Sequence, residues 1–337
     1  MILIENFQLK NIASFAVPAI AKKYIEINNT EEVIKLIENN FFNEKFYIIG
    51  AGTNTLFTKN FDGAVLKYTA NNCEIIQNQE SNSICFIADA GLSWDSLVRK
   101  SIKSGASGME NLADIPGTVG AAAVQNIGAY GTEQANFFSY LEAIDLLTGK
   151  KITLKKNDCE FGYRTSKFKK NNCKFLITKV CYELKLYNNQ TKFNIDYPDL
   201  KYELEKLEEI SPQIIYNTVK KIRNKKLPNL EELPNAGSFF KNPIIDKTTF
   251  LKIQEKYPDI KFFGEGENIK ISAAWLIEKC SWKGKRVKNS GTYKNHSLIL
   301  VNYGDATGEE ILQLSDNIIS DVIDKFDIEL EPEVIIL

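Results

Sequence analysis

Ile115-Pro116-Gly117-Thr118-Val119-Gly120-Ala121-Ala122-Ala123, with Gln125-Asn126-Ile127-Gly128-Ala129-Tyr130-Gly131 one residue further on, sets the architecture of this 337-residue chain. Proline and glycine fix a turn, and the small residues let a backbone lie against something flat and large. The Ile127 to Gly131 run repeats that arrangement. Tight helix packing accounts for Ala121 to Ala123 but not for two glycine-rich turns in one span. Earlier, the apolar run Phe46-Tyr47-Ile48-Ile49 reads as a buried strand ending in Gly50-Ala51-Gly52-Thr53-Asn54. Consecutive backbone N–H groups there make a concave anion site, and Thr53 and Asn54 add donors. That turn lacks the Gly-Lys-Ser/Thr ending of a P-loop and the full G-x-G-x-x-G of a dinucleotide fingerprint. Alone it is a weak signal and reads first as a plain turn. Together the three turns point to a long cofactor with a diphosphate and a ring system.

Around these turns, helix and strand signals alternate. Thr30 with Glu31 and Glu32 predicts a cap for a helix with Val33, Ile34, Leu36 and Ile37 on one face. Cys85 to Ala88 predicts a strand, and Trp94, Leu97, Val98 and Ile102 a helix after Gly91. Strands are expected through Tyr182-Glu183-Leu184. The polar segment from about Tyr187 to Ile210 reads as a boundary or inserted loop. Ser211-Pro212 opens a helix in the preferred order, with Ile214, Ile215, Val219 and Ile222 inward. Thr307 and Glu310 form a capping box before Ile311, Leu314, Ile318, Val322 and Ile323. From Ile328 to Ile336 the chain alternates, apolar at Ile328, Leu330, Val334 and Ile336 and acidic at Glu329, Glu331 and Glu333. Pro332 implies an edge or a bend there.

Composition is that of an ordinary globular protein, 44% hydrophobic and 25% charged, with a net charge of −1. No general attraction to nucleic acid or anionic membrane is expected from that balance. No run approaches the ~18 apolar residues of a bilayer span, and Glu5 and Lys10 interrupt the N-terminal apolar stretch where a signal peptide would continue. The cysteines at 73, 85, 159, 173, 181 and 280 are dispersed and read as reduced, mostly buried thiols of a cytoplasmic protein. There is a single histidine, His296, which weighs against a histidine metal cluster, a Ser-His-Asp triad or a histidine-tethered cofactor. No metal is expected.

Three further segments could carry chemistry. Phe161-Gly162-Tyr163-Arg164-Thr165-Ser166-Lys167-Phe168-Lys169 sets an arginine among aromatics and hydroxyls, suited to bidentate contact with a carboxylate, or to a surface basic strand. Arg223 and Lys226 suit a phosphate, or a solvated helix end. Asn235-Ala236-Gly237-Ser238-Phe239-Phe240-Lys241-Asn242-Pro243 presents one uncrowded serine beside two aromatic anchors. In isolation it reads as a hairpin or a strand entrance.

In this order, the Gly-x-Gly-Thr-Asn, Ile-Pro-Gly-Thr-Val-Gly-Ala, Gln-Asn-Ile-Gly-Ala-Tyr-Gly, Gly-Tyr-Arg-x-Ser-x-Phe-Lys and Asn-Ala-Gly-Ser-Phe-Phe-Lys-Asn-Pro motifs, with the terminal Leu-Glu-Pro-Glu, resemble the UDP-N-acetylenolpyruvoylglucosamine reductase family. The likeness runs from about Ile12 to the last residues and matches the longer type, with its substrate-binding tyrosine loop. It implies an α+β chain, with a two-part FAD-binding domain of the PCMH-like kind and a C-terminal α/β substrate-binding domain. The expected bounds are 1–66 and 67–205 for the two FAD-binding parts, the second bearing the tyrosine loop. Residues 206–337 form the substrate domain, with a last strand returning Glu333 to the active site.

The resemblance also implies an NADPH-dependent flavoenzyme of peptidoglycan synthesis, reducing UDP-N-acetylglucosamine enolpyruvate to UDP-N-acetylmuramate in the cytoplasm as a monomer. It casts Ser238 as proton donor and Arg164 with Glu333 as the pair that stabilises the intermediate. FAD contacts fall on Gly50, Ala51, Gly52, Thr53 and Asn54, and on Pro116, Gly117, Thr118, Gly120 and Ala121. They continue through Asn126, Ile127, Gly128, Ala129, Tyr130 and Gly131. Substrate contacts fall on Tyr163, Tyr197, Lys226, Asn242 and His296. The chain departs from the pattern at Pro198, where glycine is expected after the loop tyrosine, and it ends four residues after Glu333, so a short last strand is expected. A flavin oxidase acting on another small molecule is the competing enzyme reading, and a non-catalytic nucleotide-binding module the competing non-enzyme one.

Overall fold

Strand Phe175–Leu186 is the spine of an antiparallel sheet in the computed structural model, which describes residues 1–170, 174–264 and 266–337. Phe138–Asp145 pairs with it on one side and Ser83–Asp89 on the other, with Lys151–Lys155 and Cys73–Asn78 outside them. Helix Trp94–Lys103 buries Trp94, Leu97 and Val98. The Trp94 ring meets Tyr182 edge-on at 5.6 Å, and its indole N–H donates to the Leu112 carbonyl at 3.0 Å. The polar tip of each buried aromatic is thereby satisfied, since the Tyr182 hydroxyl pairs with Gln134 at 3.0 Å.

A second sheet orders Ile2–Gln8, Ile20–Ile27, Phe61–Tyr68 and Phe46–Ile49, the last two strands running parallel. Helix Thr30–Glu38 buries Val33 and Leu36, and its cap is Asn29, whose side chain accepts from the Glu32 N–H at 2.9 Å. Threonine was the expected cap; asparagine ranks above it as an acceptor, and Thr30 becomes the first helical residue. The segment read as a polar boundary contains a further helix, Pro198–Leu204, with Leu200 and Leu204 buried. Two leucines four apart are too few to announce a helix by periodicity, and Pro198 takes its first position, where no N–H is needed. Helix Pro212–Lys226 follows, burying Ile215, Val219 and Ile222.

These elements belong to one compact unit, Met1–Phe7, Ala21–Ala51 and Asp62–Lys225; Gln8–Ile20, Gly52–Phe61 and Lys226–Leu337 form another. In the second unit a sheet orders Asn235–Ser238, His296–Asn302, Ser290–Tyr293 and Arg286–Val287, and helices Ala273–Lys279 and Gly308–Phe326 pack on it. The capping box at Thr307 and Glu310 is present. Ile311, Leu314, Ile318 and Val322 are buried as their spacing requires, whereas Ile323 is 38% exposed, so the apolar face is one residue narrower than expected.

The alternation from Ile328 onward holds in burial, with Ile328, Leu330 and Val334 inside, but not as one ladder. Only Ile335–Ile336 is strand, parallel to Thr55–Leu56. Pro332, which has no N–H to give, makes one isolated bridge to Phe240. The five described cysteines are free thiols, two of them buried and three half-buried; Cys173 lies outside the described residues. The expectation of mostly buried thiols therefore overstates them: Cys73 opens a strand and Cys280 caps a helix, while Cys85 is half-buried within strand Ser83–Asp89. Burial pushes the Cys159 and Cys181 thiols up to about 12, so neither is a nucleophile. Among the described residues no helix is long and apolar enough to cross a membrane.

Candidate active site

In the first unit, Gly50 ends strand Phe46–Ile49 against the start of helix Val119–Gln125. A Cβ on Gly50 would lie 2.9 Å from the Ala121 Cβ and 3.0 Å from Thr118 Oγ1, so only glycine allows the approach. Ala51 follows it, half-buried. Thr118 caps that helix by accepting from the Ala121 N–H, and Gly117 holds φ at +137° in the turn after exposed Pro116. Gly120 presses on Ala90, where a Cβ would come within 2.8 Å. The result is a close-packed, side-chain-poor cradle of backbone, which fits a diphosphate-linked flat group such as FAD.

The second glycine turn is a tight hairpin. Gly128–Ala129 pairs with Thr132–Glu133, and Tyr130 and Gly131 both hold positive φ, at +48° and +78°, as a type I′ turn demands. Half-buried Ile127 leads into it, its N–H donating to the Ala122 carbonyl. Buried Asn126 is the hub beneath. Its amide donates to Glu133 and to the Gly162 carbonyl, each at 2.9 Å, and its oxygen accepts from Gln134 and from the Ala135 N–H. Its carboxamide is therefore engaged inside the protein, leaving backbone to face any cofactor.

Arg164 sits in a second tight turn, between bridged Gly162 and Thr165, with φ at +54°. Its guanidinium donates to the Gly128 carbonyl at 2.5 Å and lies over the Tyr163 ring at 5.3 Å. Gly128 makes room, since a Cβ there would stand 3.0 Å from Arg164 Nη1. Ser166 and Lys169, which belong to the same motif, fasten the turn to the helix through Val124 and Gln125. Tyr197 meets Tyr130 ring to ring at 5.0 Å. Burial pushes the Tyr130 phenol up to about 12, so it stays a neutral donor. Arg223 donates to the Asp114 carbonyl at 3.2 Å, and burial draws its pKa down.

In the second unit, exposed Ser238 ends strand Asn235–Ser238, where the pairing with His296–Asn302 slips register. Gly237 at φ +70° makes that bulge, and Asn235 pins it by accepting from the Gly237 N–H at 2.9 Å. Phe239 and Phe240 are 0% and 1% exposed, anchors for the serine between them and the bulge. Glu333 lies alongside, its N–H donating to the Phe239 carbonyl at 2.7 Å, and Asn54 donates to the Glu333 carbonyl at 3.2 Å. Asn54 thus ties down the Glu333 backbone, a role its glycine-rich motif did not signal. Lys241 pairs with the exposed Glu331.

Gly52, at φ +68°, is packed so closely that a Cβ would meet the Ile12 carbonyl, and half-buried Thr53 follows. The Asn242 oxygen accepts from the Ala273 N–H at 3.0 Å, which fixes the direction of its amide nitrogen. His296 Nδ1 accepts from the Leu298 N–H at 3.3 Å, so the neutral ring carries its proton on Nε2. Burial first, then the Lys226 charge, holds the His296 pKa below its ordinary value. Arg164 belongs to the first unit, and Ser238, Glu333, Lys226, Asn242 and His296 to the second.

Residues 21–155 match the family model of an FAD binding domain, and residues 228–337 match that of the UDP-N-acetylenolpyruvoylglucosamine reductase C-terminal domain. With the glycine cradle above, this defines an FAD oxidoreductase. UDP-N-acetylenolpyruvoylglucosamine reductase of Flavobacterium johnsoniae is 42% identical over 335 residues, covering 98% of each chain. That of Amoebophilus asiaticus is 38% identical over 342 residues, covering 100% of each. The chain belongs to the UDP-N-acetylenolpyruvoylglucosamine reductase family. Its fold is that of the Thermus caldophilus enzyme, with a TM-score of 0.69 at 22% identity over 98% of this chain and 97% of that one.

Proposed function

We propose that the protein reduces UDP-N-acetylglucosamine enolpyruvate to UDP-N-acetylmuramate for peptidoglycan synthesis, with NADPH as reductant. Bound FAD would supply the two-electron chemistry, taking hydride from NADPH and passing it to the terminal alkene carbon. The cradle of Gly50, Thr118, Gly120 and Ala121, with the Tyr130 hairpin, would hold that cofactor. Residues 1–66 and 67–205 are assigned to this task, and 206–337 to the substrate.

Hydride arriving at the alkene drives negative charge toward the substrate carboxylate. Arg164 and Glu333 are assigned to stabilise that enolate-like state, and the Ser238 hydroxyl to deliver a proton to the carbon beside the carboxylate. Hydride and proton together saturate the double bond. Serine is a weak acid, but a carbanion is a strong base, and the transfer then depends on aim. One observation carries this reading most: Ser238 is exposed on a pinned bulge, with buried aromatics behind it and Glu333 hydrogen-bonded alongside. Tyr163, Tyr197, Lys226, Asn242 and His296 are assigned to hold the UDP-sugar. The free thiols fit a reducing cytoplasm, and we take the working form to be a monomer.

The absorbance spectrum of the purified protein tests this. A flavin band bleached by NADPH and restored by the enolpyruvyl substrate is expected. A flavin that bleaches but is not restored by that substrate would overturn the assignment.

A further inference from the structure

We propose that Asn111 and Asn194 are positioning residues, which latch the segment carrying Tyr197 to the Tyr130 hairpin and so set the pose of Tyr197 at the substrate. The inference rests on the reading of Tyr197 as a substrate-binding residue.

The Asn111 side chain belongs to a residue 2% exposed. Its amide nitrogen donates to the Tyr130 carbonyl at 2.9 Å and to the Asn194 carbonyl at 2.6 Å. A carboxamide has two N–H bonds to give, and these two carbonyls take both. Asn194 returns the connection, its own amide donating to the Gly131 carbonyl at 2.9 Å and to Thr132 Oγ1 at 3.2 Å. One buried donor thus bridges the glycine hairpin and the approach to Tyr197. A second, outer donor closes the bridge.

Tyr197 stands three residues beyond the latch and one before helix Pro198–Leu204, whose Leu200 and Leu204 are buried. It is therefore held from both sides. Phe193, Ile195 and Tyr197 pack against the core only in part, and residues 187 to 197 form neither helix nor strand. Without the latch the tyrosine would sample many poses, and ordering one pose on binding would weaken affinity rather than alter chemistry.

Asn194 is exposed, so Asn194→Ala is expected to fold. In that variant of the FAD-loaded enzyme, KM for the enolpyruvyl UDP-sugar is expected to rise about three- to tenfold, the effect of losing one or two net hydrogen bonds. The rate of flavin bleaching by NADPH should not change. Amide hydrogen exchange across residues 188–197 should quicken. If Asn194 acts through Tyr197, the double variant with Tyr197→Phe should show no KM rise beyond that of Tyr197→Phe alone. A KM rise in Tyr197→Phe with none in Asn194→Ala, multiplying effects, or unchanged exchange would each overturn the latch alone. An unchanged KM in Tyr197→Phe would instead overturn the reading of Tyr197, and the latch with it.

Discussion

Glu333 gives its backbone N–H to the Phe239 carbonyl, while Phe239 gives its own to Leu298 at 2.8 Å. Ser238 therefore precedes a residue gripped from two sides at once, by strand His296–Asn302 and by the non-strand segment that carries Glu333. The serine can be removed without loosening that grip, because its neighbours make the backbone bonds and Phe239 fills the core.

Ser238→Ala should consequently leave stability and flavin bleaching by NADPH nearly intact. Substrate reduction should slow by roughly a hundred- to ten-thousand-fold, the usual worth of a placed proton donor. Stopped-flow measurement of the two half-reactions separates them. Equal losses in both would remove the proton-donor role.

Two glycines test two different reasons for glycine. Gly50→Ala drives a methyl to 2.9 Å from Ala121 and should destabilise the protein by about 1–3 kcal/mol through overpacking, with weaker FAD retention. Gly237 meets nothing within 4 Å but holds φ at +70°, so Gly237→Ala should cost only about 1–2 kcal/mol of backbone strain. Gly237→Asn should cost less than Gly237→Ala, because asparagine tolerates that conformation. Urea denaturation of the three variants gives the order, and a Gly237→Asn as unstable as Gly237→Ala would contradict the conformational argument.

His296 bears on acid stability. Its folded pKa is depressed from 6.5, chiefly by burial, so between the folded value and 6.5 the unfolded chain binds the extra proton. The stabilisation is full above 6.5 and is lost as pH falls through the folded value. His296→Gln should flatten that portion of a Tm-against-pH curve. An unchanged acid limb would mean the ring titrates alike in both states.

Thr307→Ala should lower stability by about 1 kcal/mol, since the Thr307 hydroxyl accepts the Glu310 N–H at the head of a 19-residue helix. A shift in denaturation midpoint without a change in slope is the expected signature.

The glycine turns, the Ser238 segment and the long helices were legible because each writes its physics locally, in φ, in small residues or in a 3.6-residue period. Asn29 was misjudged because Asn28, Asn29 and Thr30 are all competent caps, and only the chain path chooses among them. Helix Pro198–Leu204 was hidden by its shortness. Of the supporting asparagines, Asn111 and Asn194 left no mark, and Asn54 showed as a donor in a glycine turn but not as the tie to the Glu333 carbonyl. An asparagine that bonds carbonyls 63 to 279 residues away looks in sequence like any loop asparagine.

The second unit is assembled from three separated stretches, Gln8–Ile20, Gly52–Phe61 and Lys226–Leu337. Thr55–Leu56 must pair with Ile335–Ile336 to complete it. At ribosomal speed the early stretch waits on the order of 10–60 s for its partner to be made. Within that interval the first unit, which runs to Lys225, is completed and can fold, while Thr55–Leu56 still lacks its strand partner. Glu333 is consequently among the last residues to find its place, and a nascent chain stalled shortly before it has no second unit to complete.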